Sequence, residues 1–201
     1  MIKSVISDLG NVIIFFDNYI FFRKIANYSP FSTEEIAEMV FDYSDIIRSF
    51  DTGKITPEEF YTKVVETLKA EIDYETFFPF YNDVFSLNPQ ALDIVKRLKS
   101  NYKLLLLSNT DVERFSFVKK KFPEISVFDE YVLSYEVGCM KPHPKIYNVA
   151  IDKAEAEAGE CIFIDDREEN IEVAMNLGIK TIHFGPQIDL EAFLRKYGLS
   201  F

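Results

Sequence analysis

Lys3-Ser-Val-Ile-Ser-Asp8-Leu-Gly10-Asn11-Val-Ile-Ile14 runs from apolar, β-branched residues into an aspartate, then a Gly-Asn pair, then a second apolar run. Val, Ile and Leu suit a buried strand, and Gly-Asn is turn chemistry, so Asp8 stands where a buried strand meets a turn. Carboxylates are almost never fully buried without a partner. Asp8 is therefore either a strand-end aspartate bonded to its own turn or a reaction centre. In the second case its carboxylate would attack phosphorus and divide a hydrolysis into two easier steps. Position alone does not choose between the two.

The remaining chain supplies the frame. From about Asn88 helices and strands alternate. A helix from Gln90 to Ser100 leads into Leu104-Leu-Leu-Leu107, and a strand at Tyr131 to Ser134 precedes the loop Gly138-Cys-Met-Lys141-Pro-His-Pro144. Cys161-Ile-Phe-Ile164 then ends in Asp165-Asp166, and Thr181-Ile-His-Phe184 follows the helix that Gly178 closes. Short continuous apolar runs bounded by turn residues fit parallel strands buried on both faces. Strand–helix alternation implies right-handed βαβ units, an α/β Rossmann-like parallel sheet. Residues 18–87 differ. Ser32-Thr-Glu-Glu and Thr56-Pro57-Glu58-Glu59 are helix starts, with Ile36, Met39 and Val40, then Phe60, Val64, Val65 and Leu68, at helical spacing, and Tyr74 to Phe85 reads as a third helix. Nothing there reads as a strand. The expected organisation is an α/β core of residues 1–17 and 88–201 with a helical cap, 18–87, inserted after the first strand.

Composition narrows the function. The chain has 201 residues, 48% hydrophobic and 27% charged, with 33 acidic against 22 basic residues for a net charge of −11. That profile is globular and allows one large domain or a domain with a modest insertion. No basic run tracks a phosphate backbone, so nucleic acid is not an expected partner. An acidic surface repels anions, so a phosphate site would need a local cation. Cys139 and Cys161 match no metal or redox spacing and read as small buried residues. No secretory leader is evident, because Asp8 interrupts the first apolar run, and no apolar stretch is long enough to span a bilayer. A cytoplasmic, membrane-free protein is expected, with oligomeric state open.

In open parallel sheets ligands bind outside the carboxyl ends of the strands. Just past those ends lie Asp8-Leu-Gly-Asn, Ser108-Asn109-Thr110, the Lys141 loop and Asp165-Asp166. Asp165 and Asp166 suit Mg²⁺, which takes carboxylates, water and substrate phosphate oxygens; helix capping by Asp166 with Glu169 is the alternative, but two adjacent carboxylates after an apolar strand repel unless a cation is present. Ser108, Asn109 and Thr110 suit phosphate oxygens at a helix N-terminus, and equally a capping box of Thr110 with Glu113. Lys141, held extended before Pro142, is the candidate local cation, or a solvated loop lysine. His143 and His183 read as structural.

Taken together, Asp8-Leu-Gly-Asn, Leu107-Ser-Asn-Thr, Gly138-Cys-Met-Lys141-Pro and Ile164-Asp-Asp-x-x-x-Asn170 resemble, in order, the four motifs of the haloacid dehalogenase (HAD) superfamily. The likeness extends to the bacterial α-glucose-1-phosphate phosphatase group and the phosphatase domain of soluble epoxide hydrolases. It implies a Mg²⁺-dependent phosphatase of small phosphorylated metabolites. Asp8 would be nucleophile and metal ligand, with the Gly10 carbonyl and Asp166 as further ligands and Asp165 helping directly or through water. Ser108 and Asn109 would hold the phosphoryl group, Lys141 would neutralise charge, and Asn170 would steady the last motif. A metal-independent 2-haloacid hydrolase and an inactive binding protein of the same fold are the alternatives.

One position departs from that pattern. Most phosphatases of the superfamily carry a second aspartate two residues after the nucleophile, as general acid and base; here that residue is Gly10. General acid–base help is worth ~10²–10⁴-fold, so its absence favours good leaving groups such as sugar 1-phosphates or acyl phosphates. Specificity is expected from the cap, where Phe16, Tyr19, Phe22, Phe50 and Tyr61 are aromatic candidates, each with core packing as its plainer role.

Overall fold

A computed structural model describes residues 1–42 and 44–200, with the side chains of 40–42 and 44 left outside that description. In chain order the elements are β1 (Ser4–Ser7), β2 (Ile14–Phe16), α1 (Tyr19–Ile25), α2 (Thr33–Asp42), α3 (Ser44–Asp51), α4 (Pro57–Leu68), α5 (Tyr74–Asn82) and β3 (Phe85–Leu87). There follow α6 (Pro89–Leu98), β4 (Lys103–Ser108), α7 (Val112–Lys121), β5 (Glu130–Leu133), α8 (Ser134–Val137), α9 (Pro144–Ala154), β6 (Cys161–Asp165), α10 (Glu168–Asn176), β7 (Lys180–His183) and α11 (Leu190–Lys196).

Five strands form one sheet in the order β5-β4-β1-β6-β7, and every pairing in it is parallel. The apolar run of β4 explains the three layers. Leu104 and Leu106 point into one core with Ala91, Leu92, Val95 and Leu98 of α6, Phe115 and Val118 of α7, and Leu190 and Leu194 of α11. Leu105 and Leu107 point the other way, against Ile146, Tyr147 and Ala150 of α9 and Ala174 of α10. All four leucines are fully buried, and burying one stabilises by ~1.5–3 kcal/mol. A polar residue in this run would meet apolar neighbours on either face.

Helices α1 to α5 lie between β2 and β3 and have their own core, with Phe21, Ile25, Ile36, Phe50, Phe60 and Phe77 buried together. Their starts follow the sequence. Ser32 and Glu35 exchange hydrogen bonds across the first turn of α2, and Thr56 and Glu59 do so at α4, where Pro57 needs no donor. Val40, placed on the apolar face of α2 with Ile36 and Met39, lies outside the described side chains. Phe22 and Phe50 are packed within this core, and Tyr61 donates its hydroxyl to the Ile72 carbonyl at 2.6 Å. Phe16 and Tyr19 are exposed.

The structure corrects the sequence reading at three points. Residues 85–87 form a strand inside the stretch read as wholly helical, paired antiparallel with β2 in the register Phe16↔Phe85 and Ile14↔Leu87. That partner is some seventy residues away in sequence, so no local pattern announces it. Helix α5 accordingly ends at Asn82 rather than Phe85. At α7 the cap is Asp111, whose carboxylate accepts from the Arg114 backbone N–H, not Thr110, whose N–H is bonded to Ser134.

Candidate active site

The carboxyl ends of β1, β4 and β6 bring the polar motifs together. Asp8 Oδ1 accepts the Leu9 N–H at 2.7 Å and the Lys141 ammonium at 2.7 Å. Both sequence readings of Asp8 thus meet in one atom: it bonds its own turn and it is paired with a cation. Lys141 is buried and spends its three donors on Asp8 Oδ1, on Asp165 Oδ2 at 2.7 Å and on the Leu107 carbonyl at 3.0 Å. It is therefore no solvated loop lysine. The Lys141–Pro142 peptide is cis, and His143 caps α9 by accepting the Lys145 N–H.

Asp165 is fully buried. Besides Lys141 it accepts from the Arg167 backbone N–H at 2.8 Å and the Asn170 amide at 2.9 Å, both on Oδ1. With so many bonds made inside the protein, Asp165 is better placed to orient Lys141 than to offer an oxygen outward. Asp166 is more open. It makes no capping bond to α10, whose first turn carries no side-chain cap; instead its Oδ2 accepts from the Asn11 amide at 2.9 Å. Asn11 reaches it because its backbone is left-handed, φ 55°, a conformation Asn tolerates better than most residues. No backbone N–H among the described residues donates to the Gly10 carbonyl.

The phosphate candidates divide. Ser108 is buried at the end of β4, between Leu107, which holds the Lys141 ammonium, and Asn109. Asn109 uses both ends of its amide on the backbone of Lys141, donating to its carbonyl at 2.9 Å and accepting its N–H at 2.7 Å. Its side chain therefore positions Lys141, and only its backbone N–H is left for an anion. Sequence reasoning placed Asn109 at the phosphate because of its position after the strand; the pairing with a loop 32 residues on carries no local signal.

Electrostatics follow from burial. Desolvation pushes the Asp8 carboxyl up to about 7; Lys141 pulls it down and Asp165 adds to the rise. Burial also opposes the charge on Lys141, but Asp8 and Asp165 outweigh it and hold its pKa above the ordinary lysine value. Three carboxylates, from Asp8, Asp165 and Asp166, have oxygens within 4.8 Å of one another against a single ammonium. Like charge from Asp165 is part of what raises Asp8, and a hard divalent cation with oxygen ligands is the group that would offset it. The donor set fits Mg²⁺. A cavity of about 660 Å³ opens beside the cluster, lined by Asn11, Phe15, Asp166, Phe184 and Ile188 among others.

Known proteins share this fold. The D-ribitol-5-phosphate phosphatase of Bacteroides thetaiotaomicron is 26% identical over 193 residues, 90% of this chain and 91% of its own. The crystal structure of a HAD family enzyme from the same organism superposes with a TM-score of 0.85 at 29% identity, covering 96% of this chain and 98% of that one. A complex of that enzyme with magnesium and inorganic phosphate gives a TM-score of 0.80 at 27% identity, over 97% and 100%. The family profile of haloacid dehalogenase-like hydrolases matches residues 2–178, from β1 through α10. That span contains every residue of the cluster at the carboxyl ends of β1, β4 and β6, and this chain belongs to the haloacid dehalogenase-like hydrolases.

Proposed function

We propose that this hydrolase is a Mg²⁺-dependent phosphatase of small phosphorylated metabolites, acting through an aspartyl-phosphate on Asp8. The observation that carries the reading is the state of the two Asp8 oxygens. Oδ1 is fixed by Leu9 and Lys141, while Oδ2 accepts no hydrogen bond from the described residues and is left for chemistry.

Oδ2 attacks phosphorus, the bond from phosphorus to the ester oxygen breaks, and the leaving oxygen takes its proton from solvent. Water then attacks the aspartyl-phosphate, inorganic phosphate departs, and the Asp8 carboxylate is restored. Lys141 favours the ionised form of Asp8 against its burial and places positive charge beside the transferring group. Ser108, with its hydroxyl, and Asn109, with its backbone N–H, hold the phosphoryl oxygens. Asp8, the Gly10 carbonyl and Asp166 would hold Mg²⁺, with Asp165 acting through Lys141 or a water, and the bound ion would supply charge stabilisation of a loose phosphoryl transition state. The helical insertion, residues 18–87, serves as the cap that covers the site. A metal-independent haloacid hydrolase would leave Asp166, the more open carboxylate of the pair, without a cation to hold, which is why the phosphatase is preferred.

A panel of phosphorylated metabolites assayed with Mg²⁺, beside Asp8→Asn, tests this. Turnover that EDTA removes and that drops about 10³-fold or more in Asp8→Asn is expected. An equal rate in both proteins would end the nucleophile assignment. Within the panel, glucose 1-phosphate should be hydrolysed faster than glucose 6-phosphate or ribitol 5-phosphate, the ester for which the Bacteroides relative is named. The reverse order would leave the phosphatase standing and remove the preference for good leaving groups.

A further inference from the structure

Gly10 stands two residues after Asp8, and its backbone does not call for glycine. The glycines with positive φ are Gly53, Gly138, Gly178 and Gly198; Gly10 adopts a conformation open to any L residue. What crowds a side chain there is Phe16. A Cβ added at Gly10 would lie 3.2 Å from Phe16 Cε1, closer than the ~3.5–4.0 Å at which carbons pack best, and in ordinary contact with Cδ1 at 3.6 Å. The remaining atoms of an aspartate would come on top of that Cβ.

The fold holds the ring in place. Both Ile13 and Ile14 donate their N–H to the Leu9 carbonyl at 2.9 Å, and Asn11 donates to the Ile14 carbonyl, so the chain doubles back directly after the nucleophile. This return delivers β2 beside Gly10. Phe16 is then braced edge-on by Phe85 of β3, with ring centroids 6.4 Å apart. Even so the ring stays 41% exposed. It is supported from one side and open on another.

We propose that Phe16 is a specificity-determining residue: its ring occupies the volume that an acidic side chain at position 10 would need and presents an apolar surface to the leaving group instead. The proposal rests on the reading above, with Asp8 as nucleophile and the neighbouring Gly10 carbonyl at the metal, which puts a side chain at position 10 beside the departing oxygen. That oxygen meets an aromatic ring where a proton donor would otherwise stand. Esters whose leaving group is stable as an anion, such as anomeric and aryl phosphates, are accepted; phosphates of simple alcohols are held back.

The test is a double-mutant cycle of wild type, Gly10→Asp, Phe16→Ala and the double variant. Each is melted, and each is assayed with Mg²⁺ on a phosphate ester series from 4-nitrophenyl to ethyl. Gly10→Asp alone should lower Tm and leave the dependence of kcat/KM on leaving-group pKa as steep as in wild type. Adding Phe16→Ala should recover Tm and raise the rate on ethyl phosphate at least about tenfold over Gly10→Asp, the low end of general-acid help. Should Gly10→Asp fail to fold, Gly10→Ala, which adds the Cβ alone, carries the same Tm cycle. Additive Tm effects, or a Gly10→Asp variant that flattens the dependence as much as the double variant, would overturn the role of Phe16 alone. No turnover by any of the four proteins would overturn the phosphatase reading and the specificity role with it.

Discussion

Two clusters of carboxylates are each set around one cation, and they are built in opposite ways. At the strand ends, the Lys141 ammonium touches Asp8 and Asp165 directly, both at 2.7 Å. Between the helices of the insertion and α7, Arg114 spends its guanidinium elsewhere. It lies 4.1 Å from the centroid of the Tyr81 ring and donates to Asn18 Oδ1 at 2.9 Å, while its Nε is buried without a partner among the described residues. Asp111 is served instead by the Tyr81 hydroxyl and the Arg114 backbone N–H, both at 2.8 Å. Asp51, which feels both charges, receives no hydrogen bond from the described residues. The first cluster is a charge-paired centre that still carries an excess of negative charge facing a cavity. The second is a seam between two cores, in which neutral donors and a stacked cation make an acid tolerable.

The sharpest break of that comparison is removal of each central donor. Lys141→Met leaves Asp8 and Asp165 buried without their cation, and losing one partner of a buried pair costs about 3–5 kcal/mol. Turnover should fall with it by about 10²–10³-fold, the usual effect of deleting one stabilising donor. Urea unfolding at pH 7 and initial rates on a good substrate measure both. A Lys141→Met protein as stable as wild type would mean that the ammonium is not what balances the carboxylates.

The first cluster was legible in the sequence and the second was not, for a topological reason. A parallel sheet sends every strand end to one side, so Asp8, Ser108 and Asp165-Asp166 had to meet once their apolar runs were recognised as strands, and a lysine in the next loop was the cation at hand. Nothing comparable gathers Asp51, Tyr81, Asp111 and Arg114. They come from α3, α5 and the start of α7, and α3, like α1 and α11, was not recognised from sequence at all. The three-residue β3 was missed because its partner is distant. Asn109 was seen at the right place, but the engagement of its side-chain amide by the Lys141 loop carries no local signal. Phe16 was visible only as an aromatic near the cap; its contact with Gly10 depends on the turn that follows Asp8.

Tyr81→Phe probes the second cluster at smaller cost. It keeps the ring beneath Arg114 but takes one donor from Asp111, whose carboxyl burial already holds above its ordinary range. Leaving a buried acceptor short costs about 1–3 kcal/mol, so Tm should drop by about 2–4 °C for each kcal/mol. Turnover on a small ester should stay within about tenfold of wild type, because no atom of the seam is bonded to the Asp8 cluster. A loss of rate matching that of Lys141→Met would show that the two clusters act as one.

Asp51 gives the subtlest effect and separates the clusters by pH. Burial, and then the charge on Asp111, push its carboxyl up to about 7, with Arg114 pulling the other way. In the unfolded chain the same group ionises near 3.8, so between those values the folded protein keeps a proton that the unfolded chain has shed. The stability Asp51 contributes is therefore full below about pH 4 and is lost progressively as pH rises through about 7. Asp51→Asn keeps a neutral group of the same shape and has no charge to bury. Its Tm should match wild type near pH 4 and exceed it above pH 7, by about 2–4 °C for each kcal/mol relieved. Taking the difference between variant and wild type at each pH cancels the titration of Asp8, which lies in the other cluster. A difference that stays constant from about pH 4 to 8 would mean that Arg114 already pairs Asp51 as Lys141 pairs Asp8, and the contrast between the two clusters would close.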